Sequence, residues 1–203
     1  MARVLIQFAH PALSKSNVHR VLMDYCRNLK NVTFNDLYES YPDMFIDVDR
    51  EQRLLLQHDI IVFQYPLYWY SSPAIVKQWL DLVLEHNWAY GARGKALVGK
   101  KLLCVISCGG GSDAYTDMGR NHYPVHQFLH PFEQTARTCN MEYLPPFVMY
   151  GTYRTTKDDI VQFGEDYQTI LSTLTHDKLN MLNYQDATYF NELLPALHTA
   201  GAR

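Results

Sequence analysis

Short, mostly apolar runs recur along the chain, separated by segments in which apolar residues return every three or four positions. Runs of this length predict strands that are buried on both faces of a sheet. The segments between them predict amphipathic helices, so that strands and helices alternate. The runs occupy residues 4–9, 32–34, 60–63, 102–107 and, interrupted by Pro145 and Pro146, 143–149.

Two helix starts have recognisable signals. Ser16 and Asn17 precede the first helical segment, and either side chain can accept a hydrogen bond from the first turn. Ser72 and Pro73 precede a later one, which predicts Ser72 as the N-cap and Pro73 as the first helical residue. Further helices are predicted over residues 125–139 and 160–174.

The alternation predicts an α/β fold with a doubly wound, five-stranded parallel sheet and helices on both faces. We interpret residues 1–203 as a single domain, with a C-terminal tail from about residue 176. Open sheets of this kind bind ligands at the carboxyl ends of their strands, near the point where the strand order reverses. The turns after the first, third and fourth strands are therefore the candidate site, and they begin at His10, Gln64 and Ser107.

Composition restricts the class of protein. With 47% hydrophobic and 19% charged residues, the chain is globular, and a net charge of -3 gives no basic stripe for nucleic acid. The 4 cysteines include no C-x-x-C pair, which favours reduced thiols in a cytoplasmic protein. The apolar run at the N-terminus is too short for a signal peptide, and no apolar stretch approaches the ~20 residues of a membrane span. We therefore expect a membrane to be reached only peripherally, through a partner.

The first turn offers groups that can hold a phosphate. Hydroxyls, an amide and an ammonium stand just before a helix, whose first N–H groups have no partner within the helix. Ordinary capping by Ser16 or Asn17 explains part of the pattern without a ligand. The residues are His10, Ser14, Lys15, Ser16 and Asn17.

The other two turns suit a flat ring system. Residues 64–73 contain four aromatic residues and two prolines at a strand exit, where an exposed apolar patch needs a partner. That partner is either a stacked ring or a second protein chain, and the two interpretations are compatible. Residues 107–112 contain three glycines, which allow close backbone approach and positive φ.

Several strings in the chain resemble the NAD(P)H quinone-reductase-like flavoproteins, and among them the ancillary flavoproteins of bacterial glutathione-regulated potassium efflux systems. The similarity runs from about Val4 to the helix near Leu174. The strings are YPLYWYSSPAIVKQWLD at residues 65–81, WAYG at 88–91, PFEQTA at 131–136 and YLPPF at 143–147.

The resemblance implies a flavodoxin-like fold, a homodimer, bound FMN or FAD, and NAD(P)H as co-substrate. The flavin phosphate would be held by His10, Ser14, Lys15, Ser16 and Asn17. The isoalloxazine ring would be held by Leu67, Tyr68, Trp69, Tyr70, Ser107, Cys108, Gly109 and Gly110.

The family also uses a tyrosine and a histidine after the glycine turn to handle charge and protons. Tyr115 falls on the tyrosine position. The histidine position falls on Asn121 without a gap, and His122 matches with a shift of one residue. The family's threonine in the glycine turn is Cys108 here; since a thiol is a weaker donor than a hydroxyl, we expect contact there mainly through the backbone.

The resulting hypothesis is a flavin oxidoreductase that reduces quinones or related electrophiles by ping-pong hydride transfer, with Tyr115 and His122 as catalytic residues. The alternative is a regulatory flavoprotein that docks on a potassium efflux antiporter at the inner face of the membrane. A one-electron flavodoxin is a further rival. We predict no metal site, because Pro124 interrupts the helix on which His122, His126 and His130 would share a face.

Overall fold

A parallel sheet forms the centre of the molecule in this computed structural model, which describes residues 1–179 and 182–201. Residues 180 and 181 of the predicted tail, and the last two of the predicted domain, lie outside the described residues. The strand order is β2-β1-β3-β4-β5, and β6 also pairs with β4. The strands are β1 Val4–Phe8, β2 Val32–Asp36, β3 Ile60–Pro66, β4 Lys101–Ser107, β5 Glu142–Tyr143 and β6 Phe147–Met149.

Helices cover both faces of this sheet, and helix α1 packs on α7 on one face while α3 packs on α4 on the other. The predicted α/β, flavodoxin-like doubly wound architecture is therefore confirmed. The helices are α1 Asn17–Cys26, α2 Leu37–Ser40, α3 Val48–Gln57, α4 Ala74–Val83, α5 Val125–Phe128, α6 His130–Thr138, α7 Lys157–Thr175 and α8 Leu194–Gly201.

The fifth strand position consists of two short strands. Strand β5 pairs with the start of β4, where Leu102 lies opposite Tyr143, and β6 pairs with its end, where Ser107 lies opposite Met149. Prolines 145 and 146 separate them, since proline has no N–H to donate to the ladder. The predicted five positions are thus occupied by six strands.

The helix starts agree with the sequence in one case and differ in another. Ser16 caps α1, because its Oγ accepts a hydrogen bond from the backbone N–H of His19 at 3.0 Å. The prediction for α4 was wrong by one residue: Pro73 is the N-cap and Ala74 the first helical residue. Pro73 has an extended ψ of 149°, which places it outside the helix.

The helix predicted over 125–139 is divided into α5 and α6 at Leu129. The division lies just before Pro131, whose missing N–H cannot bond to the carbonyl four residues earlier. Leu129 instead donates to the carbonyl of His126 at 3.1 Å. The break turns the chain beside the candidate site and places α5 over it.

A buried carboxylate joins the sheet to the helices on the α3–α4 face. Glu51 of α3 is fully buried and accepts hydrogen bonds from Gln7 Nε2 at 2.7 Å and Trp79 Nε1 at 2.8 Å. It also accepts from Tyr41 OH at 2.7 Å and from Asn35 Nδ2 at 3.1 Å. Four donors on β1, β2, α4 and the loop after α2 therefore meet at one side chain.

The chain after α7 returns to the body of the protein. Phe190 is fully buried, and Leu179, Tyr184 and Leu197 belong to the same core cluster as α1 and α7. Across residues 1–179 and 182–201, no helix is both long enough and apolar enough to cross a membrane.

Candidate active site

The carboxyl ends of β1, β3 and β4 finish side by side. Phe8 lies opposite Gln64, and Pro66 lies opposite Ser107. The hydrogen bonds continue past the strands, from Ala9 N to Gln64 O at 3.0 Å and from Leu67 N to Ser107 O at 2.8 Å. The three turns that the sequence predicts as the site therefore form one continuous edge.

The first turn places polar groups at the start of α1. Ser14 and Lys15 lie in an exposed 3₁₀ turn, and Asn17 is the exposed first residue of α1. His10 is buried, and its Nδ1 accepts a hydrogen bond from Ala12 N at 3.1 Å. Burial lowers the pKa of His10, so the ring is neutral and carries its proton on Nε2.

An open cleft of about 1240 Å³ lies beside this turn, between α1 and the start of α7. Ser14, Ser16 and Asn17 line its near side, while Arg20 and Lys157 add positive charge. The residues that line the cleft come from the first turn, from α1 and from residues 155–161.

A second buried histidine connects the first turn to the end of β4. His19 Nε2 is 2.8 Å from Ser107 Oγ, and the His19 ring lies 5.1 Å from the ring of His10. Burial, and secondarily the neighbouring His10, lowers the pKa of His19 to about 3, so that the ring is neutral. Its Nδ1 is buried without a hydrogen-bond partner in the protein.

The turn after β3 is a tight hairpin with a strained backbone. Tyr68 and Ser71 exchange two backbone hydrogen bonds of 3.0 Å each, which leaves Trp69 and Tyr70 at the tip. Both adopt positive φ, 48° and 61°, as in a type I′ turn, where asparagine and glycine are preferred. Trp69 is 93% exposed. Strain in an exposed aromatic turn is typical of a binding site.

The turn after β4 approaches its neighbours closely. A Cβ on Gly109 would lie 2.4 Å from the ring of Tyr153, and one on Gly110 would lie 3.2 Å from the ring of Tyr115. Close approach therefore explains glycine at these positions. Of the two properties that glycine allows, the turn uses close approach, since none of the three glycines at 109–111 adopts positive φ.

Cys108 is tied to the chain at and after β6. Its backbone N–H donates to Met149 O at 2.7 Å, and its carbonyl accepts from Thr152 N at 3.0 Å. The expected backbone contact of Cys108 with a flavin stays a prediction, and of the two backbone groups the carbonyl can accept a further hydrogen bond. Burial raises the pKa of the Cys108 thiol to about 12, so the sulfur is neutral and no nucleophile.

Tyr115 lies behind the glycine turn, where it is 9% exposed. Its ring packs edge-on against Phe128 at 6.3 Å and lies 5.9 Å from the ring of Tyr150. Burial, and then the nearby Cys108, raises the pKa of Tyr115 to about 12. Its hydroxyl therefore keeps its proton at neutral pH and can donate a hydrogen bond.

Asn121, and not His122, contacts the turns. Tyr70 OH donates to Asn121 Oδ1 at 3.3 Å, and the Asn121 amide lies 3.8 Å from a Cβ placed on Gly110. His122 is exposed and has a φ of 60°. The ungapped match of the sequence is thus the one that the structure brings to the site.

Three residues of this edge were not indicated by any pattern in the sequence. His19 lies three positions after the cap Ser16. The apolar periodicity of α1 includes its neighbour Val18 and not His19, so the pattern did not predict that His19 is buried. Tyr150 and Tyr153 follow β6 and reach the glycine turn only through the tertiary fold. Within the described residues, no group of three or more histidine, cysteine or carboxylate side chains could hold a metal ion.

Comparison with known proteins places the chain in a family. The family model described as "Flavodoxin-like fold" matches residues 2–171. The glutathione-regulated potassium-efflux system ancillary protein KefG of Cronobacter sakazakii is 43% identical over 171 residues, covering 84% of this chain and 93% of that protein.

Two solved structures are similar. General stress protein 14 of Treponema denticola, in complex with FMN, is 40% identical with a TM-score of 0.81, covering 85% of this chain and 99% of that chain. An NADPH-quinone reductase of P. pentosaceus is 34% identical with a TM-score of 0.76, covering 83% of this chain and 96% of that chain. This protein therefore belongs to the family with the flavodoxin-like fold, and it is similar to KefG, to general stress protein 14 and to an NADPH-quinone reductase.

Proposed function

We propose that this protein is an NAD(P)H-dependent flavin oxidoreductase that reduces quinones or related electrophiles, with FMN as its cofactor. The observation that carries the proposal is the meeting, at one edge of the sheet, of a helix N-terminus, a strained aromatic hairpin and a glycine turn. The similarity to an FMN complex and to a quinone reductase supports the same function.

The first turn fits the phosphate of FMN. The N-terminus of α1 carries partial positive charge, and N–H groups of its first turn are free to donate. Ser14, Lys15 and Asn17 lie exposed beside it. The neutral His10 presents Nε2–H as a further donor beside this turn.

The second and third turns fit a flat ring. Leu67 is buried at the base of the hairpin, and Tyr68 packs edge-on against His10 at 6.0 Å, which joins the aromatic hairpin to the phosphate turn. The rings of Tyr153 and Tyr115 fill the space beside Gly109 and Gly110, and a flat ligand would stack against this aromatic surface. Ser107 is held by His19 and is a positioning group in this arrangement.

The reaction divides between the cofactor and the protein. FMN, when bound, supplies a ring that accepts hydride from NAD(P)H and passes it on to the acceptor. Tyr115 remains protonated and donates a hydrogen bond where negative charge develops. Tyr70, held by Asn121, and the exposed Trp69 shape a pocket that takes NAD(P)H and the quinone in turn. A shared pocket requires ping-pong kinetics.

The test is a visible spectrum of the purified protein, followed by anaerobic addition of NADH or NADPH and then of a quinone. We expect flavin bands, bleached by the nicotinamide and restored by the quinone, with parallel double-reciprocal plots. A protein that takes up neither FMN nor FAD would contradict the proposal. Bound flavin that no nicotinamide reduces would also contradict it and favour the second candidate.

The second candidate is a regulatory subunit that docks on a potassium efflux antiporter at the inner face of the membrane. The 43% sequence identity to KefG, which is named as an ancillary protein of such a system, favours this second candidate. Co-purification with a membrane antiporter from the native host would support it.

We also propose a homodimer, because a second chain would cover the exposed apolar side chains of Trp69, Met118, Tyr123 and Tyr153. Light scattering that gives the mass of one chain would contradict the dimer.

A further inference from the structure

The chain continues beyond the residues that match the family, and the additional part reaches the site. The family match ends at residue 171. Residues 184–197, which we name the tail clamp, fold back on the body of the protein and bury Phe190 completely. They lie against β6 and α5, the elements that border the glycine turn and Tyr115.

Asn191 completes the free edge of β6. Its Oδ1 accepts a hydrogen bond from Val148 N at 3.0 Å, and its Nδ2 donates to Val148 O at 3.0 Å. Next to it, Phe190 N donates to Pro146 O at 2.9 Å. One side-chain amide thus makes both bonds that a neighbouring strand would make at this position.

Strand β6, which Asn191 supports, is itself hydrogen-bonded to the glycine turn. Met149 O, at the end of β6, accepts from Cys108 N at 2.7 Å. Gly151 N donates to Gly110 O at 2.8 Å, and Thr152 N donates to Cys108 O at 3.0 Å. The glycine turn therefore has three backbone bonds to the segment that directly follows Val148.

Tyr189 supports the same region from the side. Its hydroxyl is 3.1 Å from His126 Nδ1 and accepts a hydrogen bond from His126 N at 3.3 Å. Its ring packs edge-on against Tyr150 at 6.4 Å, and Tyr150 lies 5.9 Å from Tyr115. A line of contacting aromatic rings thus leads from the tail clamp to Tyr115.

We propose that the tail clamp is part of the active site, with Asn191 and Tyr189 as positioning residues for the glycine turn and for Tyr115. Asn191 acts through β6, and Tyr189 acts through Tyr150 and α5. The role of these residues in flavin binding rests on the proposed function. Their role in holding the turn does not, and the experiment separates the two.

The experiment compares Asn191→Ala and Tyr189→Phe with Thr199→Ala, an exposed residue of α8 whose hydroxyl donates to Pro195 O. Amide hydrogen exchange is measured first on the flavin-free protein. In N191A we expect the amides of Cys108 and Gly151 to exchange roughly tenfold faster, since two hydrogen bonds that support their partners are lost. The amides of β1 and β3 should keep the wild-type rate, and T199A should match wild type throughout.

FMN titration is the second measurement. We expect N191A to raise the Kd of FMN roughly tenfold. Y189F keeps the ring and loses the hydroxyl, so we expect it to leave the Kd within about twofold and to slow quinone reduction through Tyr115. If N191A does not fold, Asn191→Asp retains an acceptor for Val148 N and removes the donor to Val148 O, and it should show the same local increase in exchange.

Wild-type exchange at Cys108 and Gly151 in folded N191A or N191D would overturn the proposal. So would faster exchange spread evenly over the whole sheet, because that result indicates general destabilisation. If exchange increases locally but the protein binds no flavin, the role of the tail clamp in holding the glycine turn is supported and the proposed function is refuted.

Discussion

The His19–Ser107 pair is a buried side-chain contact between the start of α1 and the end of β4. An imidazole without solvent is stable in its neutral form, and burial accordingly lowers the pKa of His19 to about 3. In the unfolded chain the same ring returns to a pKa of about 6.5. Between these values the unfolded state binds the additional proton, so acid favours unfolding.

We therefore predict that the free energy of unfolding falls as the pH is lowered from about 6.5 towards 4, with His19 contributing up to ~1.4 kcal/mol per pH unit. The stabilisation is fully present above pH 6.5. His19→Gln, which keeps a group able to bond to Ser107, should reduce the slope. Urea unfolding at pH 7, 6, 5 and 4 measures it, with His176→Gln at an exposed position as the control. Equal slopes in H19Q and wild type would contradict the assignment.

Asn121 and His122 are adjacent, and only Asn121 contacts the aromatic hairpin. We predict that Asn121→Ala lowers kcat/KM for the quinone roughly fivefold, since one hydrogen bond of about 1 kcal/mol to Tyr70 is lost. His122→Ala should stay within about twofold of wild type. Steady-state kinetics with both variants decide between the two residues, and a larger loss in H122A would restore His122 as the catalytic candidate.

At the scale of elements, the hairpin at Trp69 and Tyr70 has a backbone that its sequence does not favour. Aromatic residues in the left-handed region cost about 1 kcal/mol each, whereas asparagine and glycine adopt it readily. The double substitution Trp69→Asn and Tyr70→Gly should therefore raise the free energy of unfolding by about 1–2 kcal/mol. The same change should weaken FMN binding and slow quinone reduction, because it removes the two aromatic side chains at the tip.

Thermal and urea unfolding of the flavin-free protein test the predicted gain in stability. Tyr70→Phe is the matched control, since it keeps both the ring and the strained φ and should gain no stability. A double variant that is less stable than wild type would contradict the prediction, because it would show that Trp69 and Tyr70 stabilise the fold.

At the scale of the whole molecule, Glu51 connects sheet and helices through bonds from Gln7, Asn35, Tyr41 and Trp79. Its removal takes the acceptor from Gln7, Tyr41 and Trp79 and the ion-pair partner from Arg50, which costs far more than the loss of an exposed contact. We predict that Glu51→Ala lowers the free energy of unfolding by about 3 kcal/mol or more. Arg53→Ala, an exposed position on the same helix, should change it by less than about 0.5 kcal/mol. Urea denaturation provides both values, and a loss below about 1 kcal/mol in E51A would contradict the prediction.

The sequence by itself determined the order and type of the main elements and the three turns of the site. Continuous apolar runs leave a strand no exposed face, and helical spacing between them leaves only a parallel sheet covered on both sides. That sheet aligns the carboxyl ends of β1, β3 and β4, so that the turns predicted to begin at His10, Gln64 and Ser107 had to meet.

Only the tertiary structure decided which polar atoms meet there. His19 reaches Ser107 across 88 positions, and Asn191 reaches Val148 across 43, distances at which no local pattern carries information. Local patterns are equally uninformative about Cys108, whose backbone bonds to Met149 and Thr152. They also do not show that Tyr70 bonds to Asn121 and not to His122. Periodicity reports which face of an element is buried, but hydrogen-bond partners are set by how those faces pack together.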